Sequence, residues 1–366
     1  MATSGKIIFM AIGGAQEVGA SCYYLNLGGE NFLLDCGYGR NEGIYFAPKF
    51  NELLYAPFIQ DFHQISHVFI SHAHMDHIGA LPDFLQLNER ANVYMTNFTW
   101  QIMNLQLGDR LSRRAQDNIS RVSFLQEIPL ENISASFHQA GHIPGAMMVL
   151  FKFGGKNILY TGDYSTFATP LVNAAILPKV KIDVLILCGL HARHYFYRTN
   201  DAAFQKILRQ IRYSLSCGRI ACCQVNQISK GIELLSLLNK FLPDVEIFLS
   251  DKVMDMVYCF ENLNLKIMQE RAHPLKKFPA KPSVIISAES ARFWNCEIIN
   301  CDFSLHDDFS AVVNFVRKIN PEICLVVHSP PDKIFHSDIT IEQILIKEPD
   351  SRTNFIFPEL YQPLEI

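Results

Sequence analysis

Ser71-His72-Ala73-His74-Met75-Asp76-His77 sets three imidazoles and a carboxylate within six residues, directly ahead of Ile78-Gly79-Ala80-Leu81-Pro82. Imidazole nitrogen and carboxylate oxygen suit zinc. Their alternation lets one short loop serve two ions, His72 and His74 on one, Asp76 and His77 on the other. Val68-Phe69-Ile70 is the predicted strand that delivers the loop. A lone histidine is usually a core or surface residue, but this spacing is rarely accidental. Two later segments offer further donors: His142 in the glycine-flanked turn Gln139 to Ala146, and Asp163 just after the apolar strand Asn157 to Tyr160. Alone, a Gly-Asp after a strand is more often only a turn.

The signature H-x-H-x-D-H, with His142 and Asp163 behind it, resembles the metallo-β-lactamase superfamily. That resemblance implies that His142 completes the first zinc site, that Asp163 bridges the two ions, and that Asp35 in Leu33-Leu34-Asp35-Cys36-Gly37 orders the metal loop. Finer wording is similar to the β-CASP nucleases, in the branch of the pre-mRNA 3′-end-processing endonuclease, its Integrator relative and their prokaryotic cousins. Gly13-Gly14-Ala15-Gln16-Glu17-Val18-Gly19 looks like that branch's opening turn. Phe303-Ser304-Leu305-His306-Asp307-Asp308 resembles motif B and implies a catalytic role for His306 toward the leaving oxygen. Val326-Val327-His328-Ser329 resembles motif C, placing His328 on the second zinc. A histidine there resembles the RNA-processing members rather than the DNA-repair ones. Motif A departs from the family, because Asp183-Val184-Leu185-Ile186-Leu187-Cys188-Gly189 carries cysteine where an acid should support the motif B histidine. Cys188 reads as a small apolar residue closing a core strand, with a metal ligand or a reactive thiol as the alternatives. Either way the resemblance implies weakened proton donation by His306.

The expected fold is therefore α/β: an αββα metallo-β-lactamase sandwich carrying an inserted β-CASP cap. Residues 1–189 are expected to form the first part of the sandwich, 190–302 the cap and 303–366 the return segment. Within the cap, helices are predicted over Asp201 to Ser216 and Ile228 to Leu242, and strands over Gly218 to Val225, Val245 to Leu249 and Ser283 to Ser287. Only Ala288 to Asn295 separates the last of these from Cys296 to Phe303, which reads as the strand returning to the metal core. The cap thus looks truncated and the cleft open. A helix near Thr340 to Glu348 and a strand at Asn354 to Pro358 complete the sandwich, with no room for a further C-terminal module.

The chain has 366 residues with a net charge of −4 and 19% charged residues, so any nucleic-acid contact must be local rather than a diffuse basic field. Candidate phosphate contacts are Arg110, Arg113, Arg114 and Arg121, read as one helical stretch, and Lys230, Lys276, Lys277 and Lys281 in the cap. Ten cysteines without C-x-x-C pairs, and no apolar run of spanning length, point to a reducing compartment without membrane contact: cytoplasm, or nucleus in a eukaryote. The expectation is a zinc-dependent phosphodiesterase acting on single-stranded RNA, with two zinc ions sharing a hydroxide, Asp76 steadying the attack and His306 serving the leaving group. An impaired subunit that pairs with a paralogue or complex partner, and a small- or cyclic-nucleotide phosphodiesterase, are the alternatives.

Overall fold

Strands in the first half of the chain are apolar on both faces, so they must be covered from two sides. A computed structural model shows how, describing residues 5–56, 59–194, 201–225, 228–267, 271–288, 296–331, 339–348 and 352–366. The chain divides into two units, one of residues 1–167, 174–198 and 306–366, the other of 168–173 and 199–305.

The first unit is built on two seven-stranded sheets. One runs in the order Leu364–Glu365, Ile7–Gly13, Cys22–Leu27, Glu30–Leu34, Ile65–Phe69, Asn92–Thr96, Ile119–Val122. The other runs Asn354–Ile356, Ile323–Val327, Val184–Cys188, Lys156–Tyr160, Met147–Phe153, Ile133–Gln139, Glu127–Leu130. Their facing side chains interlock in one core, where Phe32 stacks on Phe151 at 5.7 Å and Phe69 meets Phe151 edge-on at 5.0 Å. The outer face of the first sheet packs Met10, Tyr24 and Val68 against Leu81, Phe84 and Met103 of the helices Leu81–Leu87 and Asn97–Leu107. Outer residues of the second sheet, Leu185, Leu187, Cys324 and Val326, are equally buried. On that side the helix Phe309–Ile319 turns Val312, Val313 and Val316 inward and stacks Phe315 on Tyr164. This is the expected αββα sandwich.

The second unit holds a five-stranded, wholly parallel sheet in the order Ala272–Pro274, Ile247–Leu249, Val284–Ser287, Ile220–Gln224, Cys296–Asn300. Its helices are Asp201–Ser216, Ile228–Phe241 and Asp251–Glu261. Parallel strands need crossovers, and Ile228–Phe241 and Asp251–Glu261 lie between strands along the chain, while Asp201–Ser216 precedes the first of them. The strand Cys296–Asn300 corrects the reading of a return to the metal core: it pairs with Ile220–Gln224 at the edge of this second sheet. The shortness inferred for the segment ahead of it falls on 289–295, outside the described residues.

Candidate metal centre

Four strand ends converge at the site. In the second sheet Lys156–Tyr160, Val184–Cys188 and Ile323–Val327 are parallel neighbours, so their C-terminal ends deliver Asp163, Cys188 and His328 to one edge. From the first sheet Ile65–Phe69 runs into the loop holding His72 and His74 and the short helix Met75–Ile78 with Asp76 and His77. Gly37 lets that helix come close, since a Cβ there would stand 1.7 Å from the carbonyl oxygen of Asp76.

Asp35 ties the loop down from below. At φ 58° it leaves its strand in the left-handed region, and its carboxylate accepts from the Ser71 N–H at 2.6 Å, the Ser71 hydroxyl at 2.6 Å, the His77 Nδ1 at 2.7 Å and the Tyr160 hydroxyl. With Nδ1 bound to Asp35, the His77 Nε2 is left to face the site as a ligand atom.

The donors fall into two sets that share Asp163. His72 Nε2 lies 3.1 Å from His74 Nδ1, which lies 3.2 Å from His142 Nε2, and Asp163 Oδ2 stands 3.7 Å from both His72 and His142. Zinc bonds of about 2.0–2.1 Å in a tetrahedron put ligand atoms roughly 3.3 Å apart, so these separations are those of four ligands round one ion. The other carboxylate oxygen, Oδ1, is 3.3 Å from His77 Nε2. Asp76, His77 and His328 form the second set, with donor atoms within 4.8 Å of one another. This clustering of imidazoles and carboxylates suits a divalent metal ion.

Charge makes the same point. Burial, reinforced by His77, pushes His72 well below the usual imidazole range, and burial with His142 brings His74 down to about 3. Burial alone would also lower His77, yet Asp163 and Asp35, one on each ring nitrogen, hold it well above that range. Asp163 would be raised by burial, but His77, His306 and His328 keep it ionised. Neutral His72 and His74 beside an ionised Asp163 are in the protonation states that metal ligands need, whereas His77 must release its Nε2 proton as an ion binds.

His306 comes to the same place, its ring 4.5 Å from that of His142 and its Nε2 3.6 Å from Asp163 Oδ2. An acidic neighbour therefore stands beside His306 although position 188 is cysteine. Burial pushes His306 well below the usual histidine range against the pull of Asp163. Cys188 turns its sulfur onto Asp163 Oδ1 at 2.6 Å.

Ser21 and Asp307 were not singled out in the sequence as parts of the site. Ser21 places its hydroxyl 3.0 Å from His328 Nδ1 and 3.4 Å from His77 Nε2. Asp307 accepts from the Thr166 N–H at 2.8 Å and hydroxyl at 2.7 Å, stitching the turn after Asp163 to the turn that carries His306. His191 lies with its ring 6.2 Å from that of His306. A serine in a glycine-rich turn or an aspartate following a histidine gives no signal until distant segments meet.

The basic candidates are not brought together. Arg110 sits in a 3₁₀ turn, Arg113 and Arg114 in the five-residue helix Arg113–Asp117, and Arg121 in the strand Ile119–Val122, which corrects their reading as one helical stretch. Arg110 is paired with Asp83 at 2.8 Å and Arg114 with Glu89 at 3.0 Å, while Arg121 lies over the Trp100 ring. Arg113 is exposed and, among the described residues, has no acidic partner. In the second unit Lys276, Lys277 and Lys281 are exposed, whereas Lys230 is buried with its amine 5.6 Å from the centre of the Phe303 ring.

The profile of the metallo-β-lactamase superfamily matches residues 15–178. Cleavage and polyadenylation specificity factor 73 of Drosophila melanogaster is 29% identical over 253 residues, 63% of this chain and 35% of that one. Endoribonuclease YSH1 of Gibberella zeae is 30% identical over 263 residues, 65% of this chain and 30% of its own. Probable RNase MJ4 of Methanocaldococcus jannaschii is 27% identical over 303 residues, 78% and 68% of the two chains. This chain thus spans about a third of the length of the first two relatives. The crystal structure of a protein of unknown function from Enterococcus faecalis V583 superposes with a TM-score of 0.66 at 14% identity, covering 99% of this chain and 100% of that one, and so shares the fold. The profile lies across the metal loop and the relatives align well beyond it, so residues 15–178 match the metallo-β-lactamase superfamily and the chain is similar over most of its length to proteins named as an endoribonuclease and a probable RNase.

Proposed function

We propose that the protein is a two-zinc phosphodiesterase that hydrolyses single-stranded RNA. The observation that carries the reading is the carboxylate of Asp163, whose two oxygens are divided between two sets of donors, Oδ2 toward His72 and His142 and Oδ1 toward His77. His72, His74, His142 and Asp163 would hold one ion, and Asp76, His77, His328 and Asp163 the other. When bound, a pair of such ions supplies a nucleophile at neutral pH and polarises the phosphodiester.

The residues do the rest. Asp35 and Ser71 keep the loop in register, so the imidazoles are aligned before substrate arrives. Asp76, half-buried at the start of its helix, steadies the attacking water by accepting its proton. His306 is placed to serve the departing oxygen, and its side chain is 19% exposed where that of Asp163 is 2%. Asp307, bound to Thr166, fixes the turn from which His306 projects.

The second unit is proposed to be the shortened β-CASP-like cap, and RNA contacts are assigned to Arg113, Lys276 and Lys277, which are exposed. All ten cysteines are free, which supports a reducing compartment such as cytoplasm or nucleus. Cys188 favours a second reading, an impaired subunit within an RNA-processing complex. The complete donor set weighs against it. The test is turnover of zinc-loaded protein on end-labelled single-stranded RNA and on bis-p-nitrophenyl phosphate. Cleavage of RNA is expected. Hydrolysis of the small ester alone supports a small-nucleotide phosphodiesterase, and no turnover of either, with metal bound, supports the subunit reading.

A further inference from the structure

We infer that Cys188 is itself a ligand of the second ion, giving that site a sulfur donor beside Asp163 and His328. The inference rests on the two-metal reading above. Its basis is where the strand ends. Cys188 is the last residue of Val184–Cys188, paired with Val327 immediately before His328, and the strand on its other side leads within three residues to Asp163. The backbone holds it there: the Cys188 N–H donates to Thr161 Oγ1 at 2.9 Å, and the Gly189 N–H to the Val327 carbonyl at 2.8 Å. The sulfur stands 2.6 Å from Asp163 Oδ1, the oxygen that also faces His77, and the donor atoms of Asp163, Cys188 and His328 lie within 4.8 Å of one another.

Cys324 supplies the contrast. It sits on the neighbouring strand, opposite Leu185, wholly buried in the apolar interior of the same unit. A cysteine that merely fills space looks like that, whereas Cys188 turns its sulfur into a carboxylate and an imidazole. Ligation converts the thiol to a thiolate bonded to the ion, and the one proton released passes to solvent. A soft sulfur among nitrogen and oxygen donors favours zinc or cobalt over manganese or magnesium at the second site. The departure at motif A thus changes the metal centre, as well as the neighbourhood of His306.

Cobalt(II) is the probe. Stripped full-length protein titrated with cobalt should develop a thiolate-to-cobalt absorption in the near ultraviolet as the second equivalent binds. Cys188→Ser and Cys188→Ala should lose that absorption while keeping the visible bands of the first ion, and Cys324→Ala should keep both. Two equivalents bound without the near-ultraviolet band, or a band that survives both substitutions, would overturn sulfur ligation and leave the two-metal reading standing. One equivalent or fewer in the wild type would overturn both. X-ray absorption of the zinc-loaded wild type needs no variant: a sulfur scatterer at about 2.3 Å is expected, and a shell of nitrogen and oxygen alone at about 2.0 Å would overturn the inference.

Discussion

Ionisable side chains are buried in the metal cradle of the first unit and on the helix Ile228–Phe241 of the second, and the two regions meet that burial differently. In the cradle His72, His77, His142, Asp163 and Asp35 are nearly inaccessible, and each lies within reach of opposite charge or a hydrogen-bonding partner. On the helix Glu233 is buried with Thr169 and the backbone of Leu171 as its hydrogen-bonding partners, and its Oε1 has no partner among the described residues. Burial therefore raises Glu233 to about 7, so it gives up its charge rather than finding a counter-charge. The same cost of desolvation is met by a mutual network in one region and by protonation in the other. Only the network can keep a carboxylate ionised in the interior, and a cation is what such a network is suited to receive.

The largest effect expected from that contrast is at the cradle. His74→Ala or Asp163→Ala should abolish cleavage and metal binding together and lower the melting temperature in zinc, read by elemental analysis and calorimetry. Loss of cleavage with metal content unchanged would separate the residue from the metal.

Next comes Glu233→Gln. The folded-state value lies above the unfolded one, so the folded protein binds the extra proton and loses stability as pH rises from about 4.5 to about 7. The glutamine variant should match the wild type near pH 4 and exceed it above pH 7 by up to about 3 kcal/mol, read from urea melts at the two pH values. Equal curves at high pH would show that Glu233 has a counter-charge after all.

Asp35→Asn probes the network without touching a ligand. Its partners include Ser71 and His77, and loosening them should cost roughly 10–100-fold in zinc affinity, measured by competition with a chelator. An unchanged affinity would mean that the loop is held by packing alone.

The smallest effects belong to the surface. Arg113→Ala should weaken RNA binding and flatten its salt dependence by about one phosphate contact. Arg114→Ala should do less, because Arg114 is already engaged with Glu89. Equal and unchanged anisotropy titrations for both would remove this face from the RNA path.

How much of this could be read beforehand follows the range of the signals. The loop from His72 to His77 was legible because its donors sit within one turn of chain, and the helix Asp201–Ser216 because its amphipathic period is local. The strand at Cys296 was legible as a strand, but an apolar run does not say which sheet it joins, and it joined the second. The arginine stretch was misread because a 3₁₀ turn, a short helix and a strand succeed one another there within about fifteen residues, too briefly for any period to register. Ser21, Tyr160 and Thr166 stayed silent because each acts on a residue 56 to 307 positions away, as with Tyr160 on Asp35 and Ser21 on His328. The contact of Cys188 with Asp163 spans 25 positions, and sequence alone left its sulfur between core filler and ligand.

The division of Asp163 between two donor sets is tested most directly by counting metal. After chelator stripping and dialysis against zinc, elemental analysis should find close to two equivalents per wild-type chain and one or fewer in Asp163→Asn. One equivalent or fewer in the wild type, or two retained in Asp163→Asn, would contradict the account.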